Sequence, residues 1–159
     1  MKKIIKYLTW TSFGVYILAI AYLVFFRYRR GFVSELSIWD YARFQMNLVP
    51  FRTITEYIKA IVDDSMNLDI PVTNLFGNLL MFFPWGMYLP LFWKRFKQWK
   101  RYLAVTLITL LVTEAVQLFM RLGSFDIDDL ILNLAGAMLG FLMWKTRLLQ
   151  WFEKEYRSW

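Results

Sequence analysis

The sequence predicts an all-α polytopic membrane protein, with four transmembrane helices and one or two short interfacial helices in the loop after the first span. Three observations support this fold class. Hydrophobic residues make up 58% of the 159 residues, whereas a soluble domain contains about 45–50%. They fall in four runs, each long enough to cross a hydrocarbon core of about 30 Å. Lysine and arginine concentrate between the runs, as in membrane proteins generally.

We expect a single domain over residues 1–159, because no internal repeat or low-complexity linker divides the chain. Cysteine and histidine are absent, which excludes disulfides, thiol nucleophiles, the usual zinc sites and imidazole bases. Any chemistry would use carboxylates, amides, hydroxyls, arginine or a hard cation bound by oxygen. The net charge of +7 does not indicate a nucleic-acid partner, because membrane topology explains the basic residues and no recognition fold is found.

The first hydrophobic run extends from about Tyr7 to Phe26 and follows a short basic head, Met1 to Lys6. A cleaved signal peptide is the alternative interpretation. The run is longer than the apolar region of a signal peptide, usually about 7–15 residues, and no small-residue cleavage site follows it. We therefore interpret it as the first transmembrane helix.

The segment from Arg27 to Pro71 is the least apolar part of the chain. Residues at helical spacing predict two short helices with one apolar face each, the first from Ile38, Tyr41, Ala42 and Gln45 and the second from Ile54, Tyr57, Ile58 and Ile61. Between them, Pro50 should break helical structure, so that Arg52 lies at or just after a turn. A solvated connecting loop remains the alternative for most of this segment.

The remaining hydrophobic runs extend over about Val72–Phe92, Tyr102–Met120 and Ile127–Trp144. Pro84 and Gly86 should kink or unwind the second helix near its middle or in its second half. Orientation follows from the basic residues of the short flanks, which number three in the head, five in Trp93–Arg101 and four in the tail. Both termini are therefore predicted to lie in the cytoplasm.

Polar side chains occur inside three of the runs, where they are costly unless they face a protein interior or a wet cavity. Asn78, Glu114 and Asn133 each lie six residues from the predicted outer end of their helix, which places all three about 9 Å deep. Above this layer we expect Asn74, Gln117, Arg121 and Asp129, with Arg52, Asp126 and Asp128 at the mouth. The sequence therefore predicts an outward-facing polar pocket shared by three helices.

The aspartates and asparagines of this pocket also have structural interpretations. Asp126, Asp128 and Asp129 are placed to cap the N-terminus of the fourth helix, where acids satisfy free N–H groups and oppose the helix dipole. Asn74 and Asn78 are placed to bond neighbouring helices. Both interpretations stay open beside the functional one.

Glu114 has the structural alternative of an ion pair with Arg121 or Arg52. On the fourth helix, Gly136 and Gly140 continue the polar stripe at helical spacing. Small residues let membrane helices approach closely. We therefore expect the two glycines to be packing residues below the pocket.

Three blocks of sequence resemble the VanZ-like family of bacterial membrane proteins. They are NLVPFRTI at Asn47–Ile54, NLFGNLLMFFPWGMYLP at Asn74–Pro90, and a third block in which SFDIDD follows Glu114 and Gln117 and precedes Asn133, Gly136 and Gly140. The blocks occur in the family's order and define a core at residues 47–141. The resemblance implies a multi-pass protein of the bacterial plasma membrane. It also implies a role in the cell envelope, as an accessory determinant of antibiotic resistance to glycopeptides, chiefly teicoplanin.

The first function that we consider is binding. The pocket would hold the head group of a membrane lipid, a lipid-linked cell-wall precursor or a lipoglycopeptide antibiotic. Amides would form hydrogen bonds, and Arg52 or Arg121 would bind phosphate or carboxylate. The ligand-binding residues would be Arg52, Asn74, Asn78, Glu114, Gln117, Arg121, Asp126, Asp129 and Asn133.

The second function is a membrane enzyme that modifies such a head group, with Glu114 as general base and Asp129 as second catalytic carboxylate. Asp126 and Asp128 are the alternatives for that second carboxylate. All three aspartates, Asp126, Asp128 and Asp129, are also candidate ligands of a hard divalent cation, Mg²⁺ or Ca²⁺. The spacing by itself assigns no metal site.

The third function is a structural or assembly partner, in which the polar layer only orders the helices. The sequence predicts no particular oligomeric state.

Overall fold

The computed structural model describes residues 2–27 and 36–157. Within these ranges, four helices are long and apolar enough to cross a membrane, namely Lys3–Phe25, Asp69–Phe92, Trp99–Phe119 and Ile127–Trp144. They coincide with the four hydrophobic runs of the sequence. The prediction of an all-α membrane protein with four spans is therefore confirmed.

The described α-helices are α1 (Lys2–Tyr22), α2 (Ile38–Gln45), α3 (Arg52–Val62), α4 (Asp69–Met81), α5 (Phe83–Phe92), α6 (Trp99–Phe119), α7 (Ile127–Trp144) and α8 (Arg147–Arg157). A π-helical turn, Leu23–Arg27, extends α1, and a 3₁₀ turn, Lys94–Lys97, precedes α6. Two short strands, β1 (Met46–Asn47) and β2 (Phe125–Asp126), pair in parallel. The sequence predicted α2 and α3 but not this strand pair.

The two ends of the helix bundle carry different side chains. We call the end where α6 ends and α7 begins the polar end, and the opposite end the basic end. At the basic end, Lys97 forms an ion pair with the buried carboxylate of Glu153 on α8. Lys6 of α1 lies 6.0 Å from the ring centre of Tyr156, also on α8. The basic head, the basic loop and the tail therefore meet at one end of the bundle.

The second span is broken at Phe82, between α4 and α5. Pro84 lies in the first turn of α5, where its missing N–H removes no helical hydrogen bond. The hydroxyl of Tyr16, on α1, enters the break: it donates to the carbonyl of Met81 at 3.0 Å and accepts from the N–H of Trp85 at 3.1 Å. A side chain inserted between such a carbonyl and N–H is a recognised cause of helix kinks. The kink predicted for this span is confirmed.

Tyr16→Phe is expected to lower the free energy of unfolding by about 1–3 kcal/mol, because it leaves a carbonyl and an N–H at the break without their shared partner. The matched control is Tyr7→Phe on the same helix, where the residue is 73% exposed and no such loss should follow. Thermal unfolding of both purified variants in one detergent measures the difference. Equal midpoints would mean that another group satisfies the break as well as Tyr16 does.

Very close packing joins α7 to the broken second span. A Cβ added at Gly136 would lie 1.7 Å from the carbonyl oxygen of Leu79, and one added at Gly140 would lie 1.9 Å from that of Phe83. Gly86 of α5 faces the backbone of α7 in the same way, with a carbonyl oxygen at 2.1 Å. Backbone therefore touches backbone, as small residues permit between membrane helices. The packing role predicted for Gly136 and Gly140 is confirmed.

The side chain of Tyr102 holds α6 against α7. Tyr102 is fully buried, and its hydroxyl donates to the carbonyl of Ala137 at 2.7 Å. Its ring stacks on that of Phe141 with 4.3 Å between the ring centres. These contacts fix the face that α6 presents to α7, and Glu114 lies about three turns further along α6.

Candidate functional site

Four of the predicted pocket residues, from three helices, lie on facing surfaces near the polar end. We call them the acceptor cluster: Asn78 of α4, Glu114 of α6, and Asp129 and Asn133 of α7. The side-chain nitrogen of Asn78 donates to Asp129 and lies 3.4 Å from Oδ1 of Asn74, one turn earlier on α4. The carboxyl group of Asp129 lies near that of Glu114. Asn133 follows Asp129 by one turn on the same face of α7.

Two buried oxygens of the cluster accept no hydrogen bond within the described part of the protein. They are Oε2 of Glu114 and Oδ1 of Asn133, in residues that are 5% and 3% exposed. The polar groups near the Glu114 carboxylate include the carboxylates of Asp129 and Asp126 and the backbone N–H of Asp126. A buried acceptor left without a donor costs about 1–3 kcal/mol, and more when it is charged. Both oxygens are therefore candidates for contact with a ligand.

Asp126 lies beside the cluster at the polar end and caps α7. Its side chain accepts from the backbone N–H of Asp128 at 2.9 Å, so the capping interpretation is confirmed. It also accepts from the hydroxyl of Thr53 at 2.7 Å and from the side-chain nitrogen of Asn47 at 3.2 Å. These bonds and the β1–β2 pair fasten the segment between α2 and α3 to the N-terminus of α7.

Asp128 caps the N-terminus of α3, a helix other than its own. Its carboxylate is fully buried and accepts from the backbone N–H of Phe51 and, at 3.1 Å, from that of Ile54. Arg52 begins α3 directly after a turn, as the position of Pro50 predicted. The sequence assigned the capping role of Asp128 to the fourth helix, which is wrong: the carboxylate caps α3, and no local pattern links residues 77 positions apart.

The structure gives no support to a cation at Asp126, Asp128 and Asp129. Among residues 2–27 and 36–157, no three Asp, Glu, His or Cys side chains are arranged to hold a metal ion. The oxygens of Asp126 and Asp128 already accept hydrogen bonds from N–H and O–H groups, which a cation would have to displace. These aspartates act here as hydrogen-bond acceptors.

Gln117 turns away from the acceptor cluster and towards the first span. Its side-chain nitrogen donates to the carbonyl of Val24 at 2.9 Å. This bond joins α6 to the π-helical turn that ends the first span. The sequence placed Gln117 one turn from Glu114 on the pocket side of α6, but it did not show which neighbouring helix that side faces.

The two arginines assigned to the pocket, Arg121 above the polar layer and Arg52 at the mouth, bind outside the acceptor cluster. Arg121 donates to the carbonyl of Leu36, just before α2, at 2.8 Å. Arg52 pairs with Glu56 on the surface of α3 at 3.1 Å, and its side chain is 61% exposed. Both arginines therefore have partners other than Glu114, the residue for which the sequence left an ion pair open.

Comparison with known proteins agrees with the resemblance seen in the sequence. A model of the VanZ/LLP1 family matches residues 13–150. Protein VanZ from Enterococcus faecium is 26% identical over 131 residues, which cover 82% of this chain and 70% of that protein. No solved structure matches. Because the family match covers most of the chain, including the acceptor cluster, this protein belongs to the VanZ/LLP1 family and is a membrane protein.

Proposed function

We propose that the acceptor cluster binds the polar head group of a membrane lipid, a lipid-linked cell-wall precursor or a lipoglycopeptide, and that the protein thereby lowers susceptibility to teicoplanin-type antibiotics. The observation that carries the proposal is the pair of buried oxygens, Glu114 Oε2 and Asn133 Oδ1, that accept no hydrogen bond within the described residues. Donors on a ligand would satisfy both oxygens and offset the cost of burying them. Family membership supports the link to glycopeptide resistance.

The chemistry of the cluster favours a ligand that donates hydrogen bonds. The cluster carries two carboxylates, Glu114 and Asp129, and both of its unsatisfied atoms are acceptors. Arg52 and Arg121, to which the sequence assigned a phosphate or carboxylate, bind elsewhere. An ammonium group, a sugar hydroxyl or an amide N–H would supply the donors that the two oxygens lack. The proposal therefore concerns the donor groups of the head group.

In the proposed orientation, the polar end faces the outside of the plasma membrane. Basic residues of α1 and of the 3₁₀ turn meet α8 at the opposite end, and basic flanks of membrane helices remain in the cytoplasm. Both termini would then be cytoplasmic. The acceptor cluster would lie roughly 9 Å below the outer surface, within reach of head groups in the outer leaflet.

The test is mass spectrometry of the purified protein after incubation with the lipid extract of its host and with teicoplanin. The wild type should retain a species that both Glu114→Gln and the double variant Asn78→Ala, Asn133→Ala lose. The matched control is Glu56→Gln, because Glu56 lies exposed on α3. In cells, the cluster variants should restore susceptibility to teicoplanin and the control should not. Unchanged retention and unchanged susceptibility in the cluster variants would refute the binding site.

A membrane enzyme is the second candidate function, and the proximity of the Glu114 and Asp129 carboxylates favours it. Two carboxylates in one buried site are able to divide the roles of general base and general acid. A product lipid formed by the wild type but not by Glu114→Gln, at an unchanged unfolding midpoint, would identify the enzyme. A purely structural role would instead lower the midpoint of that variant in step with function.

A further inference from the structure

An apolar groove of about 400 Å³ lies between α2 and the polar end of α6. Its walls include Trp39, Ala42 and Arg43 from α2, Met46 from β1, and Ala115 and Phe119 from α6. The position of α2 is fixed by Tyr41, which is buried and donates from its hydroxyl to the carbonyl of Gly123 at 3.1 Å. The groove is therefore formed by the positions of α2 and α6 and does not depend on the conformation of one side chain.

The groove opens onto a surface that is apolar and level with the end of a membrane span. Ala115 and Phe119 belong to the last turns of the span Trp99–Phe119. Leu111 and Phe119 are 47% and 61% exposed, so this part of α6 presents apolar side chains to its surroundings. On α2, Trp39 is 71% exposed. Tryptophan is enriched at the interface between membrane and water. With the span in a bilayer, the groove would meet lipid at the depth where head groups give way to acyl chains.

We propose that this groove holds one acyl chain of an anionic phospholipid, with the lipid phosphate bound by the guanidinium of Arg43. The charge of Arg43 stands in a lining that is otherwise apolar. Guanidinium groups bind phosphate through two parallel hydrogen bonds, and basic sites beside membrane helices bind lipid head groups. The volume of about 400 Å³ is typical of ligand sites, which hold about 300–1,000 Å³.

The groove is separate from the acceptor cluster, although the two share neighbouring backbone. Ala115 of the groove follows Glu114 on α6, and Phe125 of the groove precedes Asp126. The acceptor cluster offers carboxylates and amides to donors, whereas the groove offers apolar surface and one cation. The acyl-chain site therefore does not rest on the function proposed for the cluster.

The experiment uses the full chain in phosphatidylcholine vesicles that contain phosphatidylglycerol with a photoreactive group on its acyl chain. After illumination, peptide mapping should place the cross-links on α2 and on the last turns of α6. Unlabelled phosphatidylglycerol should compete for labelling, and phosphatidylcholine should not. Arg43→Gln should lower labelling roughly tenfold, as the loss of a charge-assisted hydrogen bond predicts. Arg43→Lys, which keeps the charge, should retain part of the labelling.

Matched variants separate filling of the groove from general effects on folding. Ala115→Phe should fill the groove and abolish labelling, whereas Ala104→Phe, on an exposed position of the same helix, should not. Lys59→Gln removes an exposed positive charge from α3 and should leave labelling unchanged. Because Arg43 is exposed, Arg43→Gln keeps the core intact and remains decisive if Ala115→Phe fails to fold.

Several outcomes would overturn the proposal. Cross-links spread evenly over the four spans would show ordinary solvation by lipid. Equal competition by phosphatidylcholine, or full labelling of Arg43→Gln, would remove the role of the anionic head group. Cross-links between two copies of the chain at the groove would make it a dimer interface. The double variant Asn78→Ala, Asn133→Ala should label normally, so failure of the acceptor cluster to bind and failure of the groove to bind are distinguishable.

Discussion

Gly136→Ala is expected to lower the free energy of unfolding by about 3–5 kcal/mol, because the added methyl group has no space. Its carbon would lie 1.7 Å from the carbonyl oxygen of Leu79. That oxygen belongs to the backbone of α4, so no flexible side chain can move aside. Either α7 and the second span separate, which exposes their contact, or the backbone distorts. Thermal unfolding of the purified variant in detergent measures the loss.

Gly77→Ala is the matched control for this prediction. Gly77 also lies within a membrane helix, on α4, but a Cβ there would meet nothing within 4 Å. The same substitution should be neutral or should stabilise the protein by up to about 1 kcal/mol, because alanine favours helix over glycine. An unfolding midpoint for Gly136→Ala that equals the midpoint for Gly77→Ala would contradict the backbone contact between α7 and α4.

The stripe on α7 was predictable from spacing alone, because residues three and four apart share one face of a helix. Gly136 follows Asn133 on that face, and its packing role was expected for this reason. The atom that it touches was not predictable. The carbonyl of Leu79 lies just before a break whose carbonyl and N–H are bridged by Tyr16 of α1. Contacts of this kind depend on how separate helices pack, and the spacing of residues within one helix does not predict that packing.

Depth along the helices located the acceptor cluster to within one turn. The estimate placed Asn78 level with Asn133, whereas the structure bonds Asn78 to Asp129, one turn nearer the polar end. Depth says nothing about direction around the helix axis. Gln117, which shares a side of α6 with Glu114, bonds to the first span instead. The level of a polar group along the helix bundle was therefore predictable, and its partner was not.

Asp128→Ala is expected to release the start of α3 from the N-terminus of α7. The buried carboxylate accepts the backbone N–H groups of Phe51 and Ile54, and its loss should cost about 2–3 kcal/mol at this contact. Phe51 also has a left-handed φ of 64°, which costs about 1–2 kcal/mol in a residue with a side chain and which these bonds offset. In hydrogen–deuterium exchange, the backbone amides of Phe51 and Ile54 should exchange at least roughly 30-fold faster than in the wild type.

Two further variants make that result specific. Asp69→Ala removes the same charge from an exposed position in the first turn of α4 and should leave exchange in α3 unchanged. Asp128→Asn keeps one acceptor oxygen and should give an intermediate rate. Unchanged exchange in Asp128→Ala would mean that the bonds of Asp126 alone fasten α3 to the N-terminus of α7.

The release of α3 bears on the acceptor cluster because Asp126 contacts both α3 and Glu114. Its side chain accepts from Thr53 of α3, while its backbone N–H lies near the Glu114 carboxylate. Loss of the neighbouring bonds in Asp128→Ala should therefore disturb the surroundings of Glu114 and lower retention of any head group bound there. Asp128 would then act as a positioning residue: retention should recover in part in Asp128→Asn, in step with the intermediate exchange rate of α3, whereas Glu114→Gln should lose retention at unchanged exchange.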